Sequence, residues 1–264
     1  MTAWRVLNSP SAIGEHIAPQ LLARIAKACQ GGRTFLLGLP TGRTPQPIYE
    51  AVANALADSS QDFSHVTLVM MDEYLVRSSN GFDYAPADAP WSCHRFAQIE
   101  IVQRLNAHLA RAHRLQEAAI WFPDPRDPAA YDARIADAGG IDFFLLASGA
   151  TDGHVAFNPP GSERNSRTRI IELPESTRKD NLQTFPSFGS LEAVPTHGIS
   201  VGIDTIASAR EAVMVVWGVS KALTLRRMLA TEEYDRSWPA TVIHECATGE
   251  ILSDAAAAST PAKP

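Results

Sequence analysis

The sequence is short of cysteine, of positive charge and of long apolar runs, and each shortage excludes something. Its three cysteines, Cys29, Cys93 and Cys246, are an odd number without metal-type spacing, so neither a disulfide framework nor a cysteine metal centre is expected. A formal net charge of −6 argues against a broad nucleic-acid or acidic-lipid surface, which needs a basic face. That net charge is compatible with a local basic pocket for a small anion. No uninterrupted apolar stretch approaches the roughly 18 residues of a membrane span. The opening MTAWRVLNSPSAIGEHI lacks a basic segment followed by an apolar one, so no secretory signal is expected. With the cysteine usage, this points to a reducing, cytoplasmic setting. His94, His108 and His113 have no zinc-ligand spacing, and neither a Walker ending nor a GxGxxG fingerprint occurs, so no zinc site of that kind and no such nucleotide-binding loop are expected.

What is present is a rhythm of short apolar runs and helix-length amphipathic segments. TFLLGL (34–39), VTLVMMD (66–72), IDFFLLA (141–147) and EAVMVVWG (211–218) read as strands buried on both faces. HGISVGI (197–203) and TVIHE (241–245) read as further strands. Segments 11–30, 45–57, 93–109, 128–139 and 220–230 read as helices. Strands alternating with helices imply βαβ units, hence an α/β, three-layer αβα fold with a mainly parallel, Rossmann-like sheet. We expect one domain over residues 1–254 and a flexible, low-complexity tail over 255–264. The stretch RSSNGFDYAPADAPWS (77–92) reads as a long loop, either a binding loop or a plain surface excursion.

In open parallel sheets ligands bind beyond the carboxyl ends of strands. Polar clusters stand at four such ends. LGLPTGRTP (37–45) offers Gly38 and Gly42 for tight turns, the hydroxyls of Thr41 and Thr44, the charge of Arg43 and free N–H groups at the next helix start, which suit phosphate. The bland reading is a strand–helix turn with Thr44 as N-cap and Pro45 at N1. MMDEY (70–74) places Asp72 and Glu73 at a strand end, on opposite faces, so one of them can face a pocket. SGATDGHVAFNPPGS (148–162) puts Asp152 two residues before His154, and a carboxylate beside an imidazole fixes its tautomer and raises its basicity. Lys221, in WGVSKAL, stands at a helix start, against the dipole, where a cation makes sense beside a bound anion. A serine nucleophile is not expected.

Taken in order, GLPTGRTP, MDEY, DGHVAFNPPGS with SRTR (166–169), VPTHGISVGIDTIASA and GVSKAL resemble the glucosamine-6-phosphate deaminase (isomerase) family, over nearly the whole chain. That family shares its fold with 6-phosphogluconolactonases and with sugar-responsive effector domains. The resemblance implies a phosphosugar substrate and an aldose–ketose isomerisation coupled to loss of ammonia, without metal or cofactor. It implies Asp72 as the base moving a proton between C2 and C1, and His154, oriented by Asp152, as the group assisting ring opening. Thr41, Gly42, Thr44 and Lys221 would hold the phosphate. It leaves assembly open between a monomer and a homo-oligomer.

The departures are as informative. Where the family has the Glu of DGHIAFNEP, this chain has Pro159, which carries no proton. Arg43 replaces a small residue, Gln183 stands where a phosphate-binding Arg is usual, and Ser148 and Ala150 replace glycines. Arg43 can supply the charge lost at Gln183, and Glu163 is the nearest acid in sequence to stand in for the missing Glu. A phosphosugar isomerase or deaminase with a shifted substrate is the expectation. A 6-phosphogluconolactonase-type hydrolase and a non-catalytic sugar-phosphate sensor are the alternatives. Glu163 and Ile171 do not resemble anion ligands, so no allosteric activation by an amino-sugar phosphate is expected.

Overall fold

Four of the apolar runs do form the centre of a wholly parallel sheet. The computed structural model describes residues 2–57 and 59–259. β1 (Ala3–Leu7), α1 (Pro10–Gln30), β2 (Phe35–Leu39) and α2 (Gln46–Leu56) come first. β3 (Val66–Met70) leads into the hairpin β4 (Asp72–Ser78) and β5 (Gly81–Tyr84). α3 (Cys93–Phe96) runs through a π-helical stretch, Ala97–Gln103, into α4 (Arg104–Asn106). β6 (Ile120–Trp121), α5 (Pro128–Asp137), β7 (Phe143–Ala147) and β8 (Arg169–Glu172) follow. The chain ends with α6 (Glu175–Thr184), β9 (His197–Ser200), α7 (Ile203–Ala207), β10 (Ala212–Val216), α8 (Ala222–Leu229), β11 (Gly249–Asp254) and α9 (Ala255–Ala258).

The large sheet has the order β1-β11-β10-β7-β2-β3-β6, with every neighbouring pair parallel. Its inner strands read as unbroken apolar runs because helices cover both faces. On one face α1 buries Ile13, Ile17, Leu21 and Ile25, a single stripe at helical spacing, together with Ile48 and Val52 of α2. On the other, Ile203, Ile206, Leu225 and Met228 pack against Leu146, Met214 and Ile251. From β2 the chain proceeds to β3 and β6 on one side; from β7 it proceeds to β10 and β11 on the other. Since β2 and β7 are neighbours, the order reverses between them and a crevice opens at their carboxyl ends.

A second sheet, not foreseen, lies beside the first: β5-β4-β9-β8, antiparallel throughout. The run VTLVMMD is therefore not one strand. It breaks after Met70, and Asp72 already pairs with Ser200 in the small sheet. HGISVGI yields only His197–Ser200, in the antiparallel sheet, before turning into α7. Part of the expected loop 77–92 is hairpin, with Arg77 opposite Phe82 and Ser78 opposite Gly81.

TVIHE is not a strand but part of a 3₁₀ stretch, Pro239–Glu245. A short buried apolar run reads equally as strand or helix, and Pro239 pre-sets a helical φ at its start. The tail expected from residue 255 begins instead with α9. The Asp254 carboxylate accepts the Ala257 N–H at 2.8 Å, and Ala257 is buried; residues 260–264 lie outside the described residues. Among the described residues no helix is long and apolar enough to cross a membrane.

Candidate active site

The crevice holds a cavity of about 90 Å³, partly open to solvent, built from loops after four strands. Thr41, Gly42, Arg43 and Thr44 follow β2, and Asp72 follows β3. Ser148, Gly149 and His154 follow β7, and Lys221 follows β10. Residues far apart in sequence thus converge because parallel strands deliver all their carboxyl ends to one edge.

The loop after β2 is shaped by Gly42, whose φ of +88° and close approach to Thr184 leave no room for a side chain: a Cβ would stand 2.9 Å from Thr184 Cγ2. Thr44 does not cap α2. Pro45 takes the cap position without a side-chain bond, so the Thr44 hydroxyl is left to the cavity that it lines. Gly38, expected in the anion loop, lies instead inside β2, away from the cavity. A Cβ there would meet the Phe144 ring at 2.3 Å, so its role is packing. Arg43 and Lys221 bring two cations to one wall. The Lys221 ammonium donates to the Ser148 carbonyl oxygen and is brought down to about 8, mainly by burial, with Asp180 and Asp152 opposing and Arg43 assisting. Gln183 lines an adjoining recess with Arg43, Ser220 and Trp217.

The Asp152–His154 pair is a tight dyad. Asp152 Oδ1 lies 2.7 Å from His154 Nδ1 and accepts the His154 backbone N–H at 3.1 Å. Its Oδ2 accepts the hydroxyls of Ser176 and Thr177, each at 2.8 Å. Burial raises the Asp152 pKa, but the His154 contacts and the Thr177 hydroxyl outweigh it and hold the carboxyl well below its usual range. With Nδ1 committed, His154 has Nε2 left for a ligand.

Helix α6, which local apolar periodicity does not single out, supplies much of this order. Its buried face is Thr177, Asp180 and Asn181. Asp180 Oδ2 accepts the N–H groups of Ala150 and Thr151 and so ties down the loop carrying the dyad. Asn181 lines the cavity with its Nδ2 unpaired. The signal was available: polar residues at i, i+3 and i+4 form one helix face, here turned inward.

Asp72 is 6% exposed, and its carboxyl is pushed up to about 7 by burial and by the neighbouring Glu73 charge, with the Cys93 thiol pulling the other way. Glu73 points to the opposite side, as strand alternation requires, and is not a cavity residue. It is fully buried and accepts from the N–H groups of Tyr74, Cys93 and His94, from Ser92 Oγ and from the His94 ring, anchoring the start of α3. Glu163 does not reach the imidazole either. It is exposed and pairs with Arg236 at 2.8 Å, and among the described residues Asp152 is the carboxylate within ion-pair reach of His154.

Two further patterns carry no chemistry of their own. GISVG (198–202) has Gly-x-Ser-x-Gly spacing, but Ser200 is fully buried in β9, donating to the Val201 carbonyl and accepting the Phe157 N–H. It stands on no nucleophile elbow. Asp152, His154 and Asp180 offer ligand atoms within 4.8 Å of one another, yet both Asp152 oxygens and one of Asp180 already serve the protein's own donors.

The chain has relatives in both sequence and fold. A glucosamine-6-phosphate deaminase from Pseudarthrobacter chlorophenolicus is 38% identical over 85% of this chain and 80% of its own. A glucosamine-6-phosphate isomerase from Candida albicans is 33% identical over 98% of each chain. Among solved structures, a monomeric glucosamine-6-phosphate deaminase superposes with a TM-score of 0.83 at 25% identity, covering 97% of this chain and 99% of the other. A family model described as glucosamine-6-phosphate isomerases/6-phosphogluconolactonase matches residues 8–252, and it is to this family that the chain belongs.

Proposed function

We propose that the protein converts an amino-sugar phosphate of the glucosamine 6-phosphate type, with water, into the ketose phosphate and ammonia. The observation that carries this reading is the convergence in one cavity of a carboxylate near neutral pKa, an Asp-oriented imidazole and two cations. Arg43 and Lys221, with the Thr41 and Thr44 hydroxyls and the N–H groups of the Gly42 turn, bind the phosphate. Guanidinium and ammonium differ in geometry but both favour a phosphate dianion.

His154, oriented through Nδ1 by Asp152, moves the proton between the anomeric hydroxyl and the ring oxygen as the ring opens. Asp72 takes the C2 proton of the open chain and returns it at C1, while a second proton passes from the amine to O1, which turns the C2 amine into an imine and the C1 aldehyde into an alcohol. Water then displaces ammonia. A carboxyl with pKa close to 7 suits this step, because a base serves best when its pKa lies near the working pH. No acid stands at Pro159 to complete the family's triad, and a missing relay member lowers rate by about 10²–10⁴-fold without removing binding.

The test is ammonia release from glucosamine 6-phosphate by the wild type beside Asp72→Asn. The wild type releases ammonia and the variant falls by at least about 10²-fold. If neither does so while phosphosugars still raise the Tm, the site binds without this reaction. Acid release from 6-phosphogluconolactone by the same sample identifies the hydrolase.

A further inference from the structure

Asp72 meets the cavity on one side and a thiol on the other. Its Oδ1 lies 3.6 Å from Cys93 Sγ, and no other side-chain donor among the described residues bonds its carboxylate. Cys93 is the first residue of α3, 1% exposed, and does not line the cavity, so it is no candidate nucleophile. Its place is fixed rather than incidental: its backbone N–H donates to Glu73 Oε1 at 3.0 Å, at the helix start that Glu73 anchors. Sγ also lies 3.4 Å from the Thr41 hydroxyl, so a line of contacts runs from the anion loop through the thiol to the base.

We propose that Cys93 is a positioning residue for proton transfer: its thiol holds Asp72 Oδ1 from behind, by a hydrogen bond too weak to quench the basicity of the carboxylate. The reason is donor strength. A hydroxyl or amide in that place would make a charge-assisted bond and favour the ionised form strongly, whereas S–H is a weak donor. An alkyl group would leave the carboxylate without orientation. Burial pushes the Cys93 thiol well above its usual range, so it keeps its hydrogen and remains a donor at working pH.

Other groups facing Asp72 do not share this role. Glu73 on the same strand raises it. Tyr49 of α2, Tyr74 of β4 and Tyr131 of α5 are themselves pushed well above 10 by burial and stay neutral. Across the cavity stand His154, Lys221, Arg43 and Asp180, none of which bonds the carboxylate.

This inference rests on the proposed role of Asp72, and its test is built to separate the two. The acid limb of kcat/KM against pH is measured for wild type, Cys93→Ser and Cys93→Ala. The Asp72 carboxyl is titrated directly in the same proteins by carbon-13 NMR, with Asp72→Asn giving the assignment. The midpoints should rise in the order Ser, Cys, Ala, with the serine variant about one pH unit below wild type. The alanine variant should also lose kcat with KM held, which a merely structural role would not produce.

Coincident midpoints in folded proteins overturn the inference whatever the activity. If the alanine variant fails to fold, the serine variant alone decides. If wild type releases no ammonia yet the NMR order holds, the thiol contact stands and the amino-sugar reading falls.

Discussion

Thr177→Val, measured with and without Asp152→Asn, tests whether α6 holds the Asp152–His154 dyad through charge. Thr177 is fully buried and its hydroxyl donates to Asp152 Oδ2 at 2.8 Å. Valine keeps the shape and removes the donor. A hydrogen bond to a charged acceptor contributes about 1.5–3 kcal/mol, and because Ser176 still donates to the same oxygen we expect about 1.5–2 kcal/mol. For a chain of this size that lowers Tm by about 3–8 °C. In the Asp152→Asn background the acceptor is neutral, and the same change should cost about 0.5–1 kcal/mol. The four proteins are compared by urea unfolding at pH 7, and the cycle should give a coupling of about 1 kcal/mol.

The pH dependence has a definite sign. The folded Asp152 carboxyl lies below its usual range, so its contribution is complete above the unfolded value of about 4 and is lost as pH falls through the lower folded value. Equal costs of Thr177→Val in both backgrounds at pH 7 would refute the reasoning.

Lys221 titrates near 8 in the folded protein, so its ammonium is lost as pH rises through that value and KM for a phosphosugar should climb above pH 8. Lys221→Met should remove that limb and raise KM by about 10–100-fold at neutral pH, while Arg43→Gly should raise KM roughly tenfold with kcat held. Steady-state kinetics across pH read both. Glu73→Gln should cost about 2 kcal/mol in an unfolding titration, since a buried acceptor of several donors loses its charge. Hydrogen exchange should quicken at the Cys93 and His94 amides, which Glu73 now protects.

By itself the sequence determined the parallel core and the loops that carry chemistry. Strands buried on both faces must be continuously apolar, so β2, β3, β7 and β10 stood out, and the polar clusters after them marked the crevice edge. Periodicity also put Asp72 and Glu73 on opposite faces. Only the tertiary structure decided the rest, because it depends on contacts between distant segments. The jump to a second sheet at Asp72 is set by pairing with Ser200, not by local pattern. Gly38 and Gly42 stood together in one motif, yet Phe144 makes the first a packing residue and Thr184 closes in on the second. Glu163 is near His154 in sequence but turns to Arg236, and α6, a polar helix without an apolar stripe, acquires its inward face from Asp152 and the dyad loop. Local sequence sets which surfaces are apolar and where strands end; which side chains then meet across the crevice follows from sheet order, which no single segment encodes.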